Sequence, residues 1–335
     1  MKEVVEMRIA FYTTKPYDRF WFEPLGEDYG IDIHFLDASC DEETIVLAKD
    51  HDAICIFVND YINESMIEKL SEYKIKGILL RSAGFNHVDI QAAAKHQIPV
   101  LRVPSYSPAA VAEHGLALLM SVNRYTHRAY NRTRDFNMSI NGLMGTNLHH
   151  KTAGIIGTGK IGQAMIRMLK GFEMRILAYD LFPNSDLDVE YVSLDELYKK
   201  SDVISLHCPL TKETKYIIDE DAIGKMKKGV YLINTSRGAL IDTNALVEGL
   251  LKEKFGGVGL DVYEEEEGLF FEDKSNEIMK DEVLARLMTF PNVLITSHMG
   301  FFTEEAMQAI TIETLENAYA LKNGGELENA VTIKS

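Results

Sequence analysis

Cysteine is scarce in this chain of 335 residues: Cys40, Cys55 and Cys208 are odd in number and lack paired short spacings. That argues against a disulfide framework and a cysteine zinc cluster, and it fits a reducing cytoplasm. Positive charge is also in short supply. Lys and Arg total 35 against 51 Asp and Glu, a formal charge of −16, and such a field repels phosphate backbones and anionic membrane surfaces. Nucleic-acid and membrane partners are therefore not expected. No apolar run approaches the roughly 20 residues of a membrane span, and Met1 to Met7 has acidic residues but no apolar stretch, so it does not read as a secretory signal. Repeats of about 20 to 50 residues are not visible either, and Glu264 to Glu267 is too short to count as an acidic tail. What remains, 46% hydrophobic and 26% charged residues, is the composition of an ordinary globular protein. At about 150 residues per domain the length predicts two domains.

Short apolar runs alternate with segments of helical period, the pattern of parallel strands joined by crossover helices, so the fold class is α/β. Arg8 to Tyr12, Ile31 to Leu36, Ala53 to Val58, Gly77 to Arg81 and Val100 to Val103 read as five strands of one doubly wound sheet. A helix from Pro108 to Tyr125 is expected to join two domains, with Pro108 suited to a first turn. A second sheet takes Thr152 to Ile156, Arg175 to Tyr179, Val203 to Leu206, Val230 to Asn234, Gly257 to Leu260 and Val293 to Thr296. Six strands is the count of a dinucleotide-binding fold. The last amphipathic helix, Thr303 to about Asn323, is too little to stand alone and must pack on an earlier part.

Gly157-Thr158-Gly159-Lys160-Ile161-Gly162 follows an apolar run and opens a helical segment. A glycine suits the tight turn, the close pyrophosphate approach and the helix-strand packing that this motif needs. The helix N-terminus offers unpaired N–H groups to the pyrophosphate, so few basic side chains are required. Asp180 ends the next strand about 20 residues on, where its carboxylate can accept from the adenosine ribose hydroxyls. It would repel the extra phosphate of NADP, and Leu181-Phe182-Pro183 brings no arginine to receive one. The cofactor expected is NAD.

Arg237, Glu266 and His298 each follow a later strand and should gather at the carboxyl edge beside the cofactor. Reducing a 2-keto acid needs a cation for its carboxylate, a proton donor for the forming alkoxide and a means of keeping that donor protonated. A guanidinium serves the first. An imidazole serves the second, and a neighbouring carboxylate favours its charged form. A His298–Glu266 hydrogen bond is therefore expected. Each of the three has an ordinary structural explanation when taken alone; together, downstream of a dinucleotide loop, they make a site. His149-His150 lacks further spaced ligands and reads as solvated loop, and the reaction needs no metal.

These residues resemble the D-isomer-specific 2-hydroxyacid dehydrogenases, and most closely the fermentative D-lactate dehydrogenases. The likeness spans nearly the whole chain: Arg81-Ser82-Ala83-Gly84-Phe85-Asn86, Val103-Pro104-Ser105-Tyr106-Ser107-Pro108, Lys151 to Gly162, Asn234 to Asp242, and Leu260-Asp261-Val262-Tyr263-Glu264-Glu265-Glu266. The family pattern Asp-Val-Tyr-Glu-x-Glu selects Glu266 among four consecutive glutamates, a choice that spacing leaves open. The resemblance implies that Arg237 binds and activates the substrate, that Glu266 tunes the histidine and that His298 is the acid/base. It implies that amides near Ala83 and Gly84 hold the substrate carboxylate, that Tyr106 lies near the substrate and that Asp261 contacts the nicotinamide carboxamide. His207-Cys208-Pro209 and Thr235-Ser236 should line the cofactor cleft.

It further implies a Rossmann NAD-binding domain, residues 106–301, inserted in a discontinuous flavodoxin-like substrate domain, residues 1–105 and 302–335. The expected activity is reversible NADH-dependent reduction of pyruvate to D-lactate by a cytoplasmic homo-oligomer. One departure stands out: Met299-Gly300-Phe301-Phe302 follows His298, where the nearest D-lactate dehydrogenases usually have Gln-Ala. With Phe57, Met299, Phe301 and Phe302 could wall the pocket and favour bulkier branched or aromatic 2-keto acids. Relatives of this fold also act as NAD(H)-responsive corepressors, a binding function that the three intact residues leave open.

Overall fold

The computed structural model describes residues 7–266 and 268–332. The chain divides into two compact units, Met1–Ser107 with Phe302–Ser335, and Pro108–Phe301. In the first, β1 (Met7–Phe11), β2 (Ile31–Phe35), β3 (Ala53–Ile56), β4 (Gly77–Leu80) and β5 (Val100–Leu101) form a parallel sheet in the order β2-β1-β3-β4-β5. This is a doubly wound order whose direction reverses between β1 and β3. Strands Ala53–Ile56 and Gly77–Leu80 are buried at every position, as expected where helices cover both faces of a parallel sheet.

The helix Glu304–Asn323 returns to this unit. Thr303 caps it by accepting the Ala306 amide, and Gly324 ends it at φ +64°, a left-handed position that glycine occupies without strain. Its Met307, Ile310 and Leu315 are buried, each worth about 1.5–3 kcal/mol. Lys322 Nζ donates to the Gly30 carbonyl at 2.7 Å, Asn317 Nδ2 to the Arg102 carbonyl at 3.0 Å and the Val331 amide to the Val100 carbonyl at 2.8 Å. Those bonds give the tail the partner that its length required.

The second unit holds β6 (Thr152–Ile156), β7 (Arg175–Tyr179), β8 (Glu190–Tyr191), β9 (Val203–Leu206), β10 (Val230–Asn234), β11 (Phe255–Leu260) and β12 (Val293–Ile295). They pair in parallel in the order β12-β11-β10-β9-β6-β7-β8. Seven strands replace the expected six. The addition, β8, is an edge strand of two residues, too short to show a period in the sequence.

The helix read as a connection runs Pro108–Arg124 and belongs to this unit's core: its Leu118, Leu119 and Val122 cluster with Ala153, Ile155 and Ile233 of the sheet. A Cβ on Gly259 would lie 2.9 Å from Leu118 Cβ, so the strand needs glycine for the helix to lie this close. The helix stops at Arg124 because Tyr125 turns left-handed at φ 52°; a second helix, Thr126–Arg134, then begins with no buried residue. No helix is long and apolar enough to cross a membrane among the described residues.

Candidate active site

The order of the second sheet reverses between β6 and β9, which opens a crevice at their carboxyl ends. Gly157 follows β6, Asp180 follows β7 and His207 follows β9, and these line one pocket of about 260 Å³ with Gly159, Cys208, Pro209, Leu181 and Phe182. The glycines of the loop have different physical reasons. Gly157 sits at φ +96°, and a Cβ there would meet the Cys208 amide nitrogen at 2.5 Å; a Cβ on Gly162 would lie 2.0 Å from the Gly157 carbonyl oxygen. Gly159 is neither left-handed nor crowded, since its φ is −65° and a Cβ would meet nothing within 4 Å. Neither the backbone nor the packing demands glycine at that position, which leaves close approach by a ligand. It is the N-cap of the helix Lys160–Gly171, and the first turn of a helix carries unpaired amides of the kind a pyrophosphate requires. These residues fit a dinucleotide.

Asp180 accepts the Thr158 amide at 2.6 Å and the Thr158 hydroxyl at 3.0 Å on one oxygen, and the Phe182 amide at 2.9 Å on the other. Lys160 is exposed and Ile161 half-buried on the opening turn of the helix. Burial pushes the His207 imidazole down to about 4 and the Cys208 thiol up to about 11, so both are neutral near pH 7. His207 Nε2 meets Ser205 Oγ at 2.9 Å, while its buried Nδ1 has no protein partner. The Ser236 hydroxyl donates to the Cys208 carbonyl at 2.7 Å, and the Thr235 hydroxyl is a second buried group without a protein partner.

The reactive groups sit across the sheet. Arg237, Glu266 and His298 follow β10, β11 and β12, which are neighbours in the sheet. A Cβ on Gly238 would lie 2.0 Å from the Tyr263 carbonyl carbon, so the chain just after Arg237 runs against the backbone of the Glu266 loop. His298 Nδ1 meets Glu266 Oε1 at 2.8 Å, and Glu266 Oε2 accepts the Tyr263 amide at 3.1 Å. The carboxylate therefore holds one ring nitrogen, and Nε2 is the one left for chemistry. The neighbouring glutamates differ: Glu264 is engaged by Thr243 at 3.0 Å and by Tyr216, Glu265 is exposed, and Glu267 lies outside the described residues.

His298 is held at φ 52°, a left-handed conformation uncommon outside glycine. Asp261 accounts for how it stays there. Its carbonyl accepts the His298 amide at 2.7 Å, and its carboxylate accepts the Met299 amide at 2.9 Å, the Gly300 amide at 2.7 Å and the Thr296 hydroxyl at 2.6 Å. His114 adds Nε2 at 3.1 Å from the carboxylate and 2.9 Å from the Thr296 hydroxyl. Burial alone would push the Asp261 carboxyl up, but His114, Thr296 and the Met299 amide outweigh it and hold the group below the usual carboxylate range. The Asp261 carboxylate thus braces the segment that carries His298 from the end of the neighbouring strand.

In the first unit, Ala83 and Gly84 are half-buried, with their carbonyls taken by Arg102 Nη1 at 3.0 Å and the Ser82 hydroxyl at 2.8 Å. Phe57 is buried, with the Arg81 guanidinium 5.1 Å from its ring centroid. That guanidinium is fixed by Asp18 at 2.8 Å, an ion pair with both side chains about 3% exposed. Tyr106 is half-buried. Phe301 is buried, Met299 is exposed, and the Phe302 ring lies 4.9 Å from that of Tyr17.

Sequence reasoning missed His114, whose helix was read only for its apolar face, and Thr211, Thr214 and Ile217 of the pocket. It also missed Glu173 beside His149 and His150. The ligand atoms of these three exposed residues lie within 4.8 Å of one another, at the amino ends of β6 and β7, opposite the crevice.

The description D-isomer specific 2-hydroxyacid dehydrogenase, NAD binding domain, matches residues 116–300. A protein of Haemophilus influenzae described as a 2-hydroxyacid dehydrogenase homolog is 51% identical over 97% of this chain and 99% of its own. The D-lactate dehydrogenase of Escherichia coli is 49% identical over 96% and 99%. The solved pyruvate reductase of Chlamydomonas reinhardtii superposes with a TM-score of 0.91 at 41% identity, covering 97% of this chain and 99% of that one. The dinucleotide loop, the paired His298 and Glu266 and these full-length likenesses lead to one conclusion: the chain belongs to the D-isomer-specific 2-hydroxyacid dehydrogenases and takes NAD as its cofactor.

Proposed function

We propose that the protein reduces pyruvate to D-lactate with NADH, reversibly, and that the observation carrying this is the His298 Nδ1–Glu266 bond of 2.8 Å at the strand edge of an NAD-binding domain. The cofactor, when bound, supplies the hydride that becomes the C2 hydrogen of the hydroxy acid. His298 donates a proton from Nε2 to the carbonyl oxygen, while Glu266 fixes the ring and balances its positive charge. Arg237 pairs with the substrate carboxylate and polarises the ketone. Ala83 and Gly84 offer backbone N–H groups to the same carboxylate, with Tyr106 and Phe57 close to the substrate. The Gly157–Gly162 loop, Asp180, His207, Cys208, Pro209, Thr235 and Ser236 hold the dinucleotide, and Asp261 contacts its nicotinamide carboxamide.

The protein is cytoplasmic and forms a homo-oligomer. Phe136, Met138, Ile140 and Met144 support the latter, since each is more than two-thirds exposed in one short segment. An exposed Met299 after the catalytic histidine favours a second reading, a preference for branched or aromatic 2-keto acids. The test is steady-state turnover of pyruvate, 2-ketobutyrate, 2-ketoisocaproate and phenylpyruvate with NADH or NADPH, followed by chiral analysis. Fastest turnover of pyruvate with NADH and a D product is expected. Faster turnover of phenylpyruvate moves the assignment to the second reading, and an L product overturns both. Turnover below about 0.01 per second for every acid, far under ordinary enzyme rates, would instead favour an NAD(H)-sensing corepressor.

A further inference from the structure

Strand β8, absent from the sequence reading, places one side chain beside the cofactor loop. Tyr191 pairs its backbone with β7 opposite Ala178, and its hydroxyl lies 2.9 Å from Thr158 Oγ1 and 3.1 Å from the Asn184 amide nitrogen. Thr158 is buried between this hydroxyl and Asp180, with its own Oγ1 3.0 Å from the carboxylate.

The direction of every proton in this chain follows from what each group can do. A backbone N–H only donates, so the Tyr191 oxygen accepts from Asn184. A carboxylate only accepts, so the single Thr158 hydroxyl proton goes to Asp180. The remaining contact then has one solution: Tyr191 donates to Thr158. The result is a one-way relay, Asn184 N–H to Tyr191 O–H to Thr158 O–H to the Asp180 carboxylate, in which each bond polarises the next toward the anion. The Thr158 and Phe182 amides complete the grip on the two carboxylate oxygens.

We propose that Tyr191 is a positioning residue for cofactor choice: acting through Thr158, it holds the Asp180 carboxylate where it receives the ribose hydroxyls of NADH and repels a 2′-phosphate. This rests on the reading of Asp180 as the ribose acceptor. Tyr191 needs no contact with the dinucleotide, for it is not among the residues lining the pocket. A loosened carboxylate would lose affinity for NADH and lose its repulsion of NADPH together. General damage to the domain would weaken both cofactors alike.

The test measures the ratio of kcat/KM for NADH to that for NADPH, at saturating 2-keto acid, in Tyr191→Phe, Thr158→Val, their double variant, Thr158→Ser and Asp180→Ala. Tyr191→Phe is expected to raise the NADH KM about three- to tenfold, the scale of one neutral hydrogen bond, and to narrow the ratio by a similar factor. Thr158→Val should narrow it further, Thr158→Ser should restore it, and the double variant should match Thr158→Val because the tyrosine has nothing left to act through. If β8 fails to form in Tyr191→Phe, the Thr158→Val and Thr158→Ser pair still reads the relay with β8 intact. An unchanged ratio in both Tyr191→Phe and Thr158→Val, or strictly additive losses in the double variant, overturns the relay. An unchanged ratio in Asp180→Ala overturns the reading of Asp180 itself, so the two failures are distinct.

Discussion

The two ends of the crevice in the NAD-binding unit are built by opposite means. At the Asp180 end, the Gly157–Gly162 turn is one contiguous stretch of sequence, and its fit depends on missing atoms: a Cβ at Gly157 or Gly162 would collide with backbone, while Gly159 opens onto free space. At the His298 end nothing is contiguous. The histidine is held left-handed by Asp261 and paired with Glu266, both on the loop after β11 and more than 30 residues away, with His114 bracing the whole from a helix. The cofactor end is written in short-range sequence, and the catalytic end exists only once the sheet has formed. Substitutions should therefore fail differently at the two ends.

The largest effect is expected at the catalytic end. His298→Ala removes the proton donor and should lower kcat by about 10²–10⁴, the usual contribution of a positioned acid, with the NADH dissociation constant changed less than threefold in a fluorescence titration. Glu266→Gln keeps a hydrogen-bond acceptor at Nδ1 but removes its charge, so a smaller fall of about ten- to hundredfold is expected. If Glu266→Gln proved as damaging as His298→Ala, the glutamate would be acting directly on substrate and not through the ring.

At the cofactor end a pair of glycine variants separates folding from binding. Gly162→Ala puts a methyl 2.0 Å from the Gly157 carbonyl oxygen, an overlap that only backbone movement relieves, so loss of folded protein or a sharp drop in Tm is expected. Gly159→Ala has room and an ordinary φ. Its Tm should stay within about 2 °C of the parent, and its NADH affinity should fall about tenfold or more as the methyl occupies the pyrophosphate's place. An equal fall in Tm for both variants would remove the distinction between the two ends.

This contrast also explains how far the sequence could be read. Strands such as Ala53–Ile56 and Gly77–Leu80 carry continuous apolar runs bounded by polar turns, which is why both parallel sheets were legible. The dinucleotide loop was legible for the same local reason, and the resemblance picked Glu266 from its neighbours. What escaped was fixed by tertiary contact. Tyr125 ends a helix by backbone conformation alone, β8 is shorter than any periodic signal, and the two faces of the Pro108–Arg124 helix gave no hint that His114 points at the Asp261 carboxylate. Tyr191 and His114 are polar residues whose partners Thr158 and Thr296 lie 33 and 182 positions away.

An effect confined to acid pH tests whether the cofactor end also carries a cost of burial. His207 is pushed down to about 4 in the folded protein, against about 6.5 for an unfolded chain. Above pH 6.5 the ring is neutral in both states and contributes no pH dependence. As the pH falls from 6.5 to 4, the unfolded chain takes up a proton that the folded chain refuses, so folded stability is lost across that window, by up to about 3 kcal/mol. His207→Gln removes the titration, and its urea-unfolding free energy should rise relative to the parent by as much as that between pH 7 and pH 4.5. Parallel curves across the range would mean that the imidazole is solvated in the folded state, and the burial assigned to this corner of the pocket would be wrong.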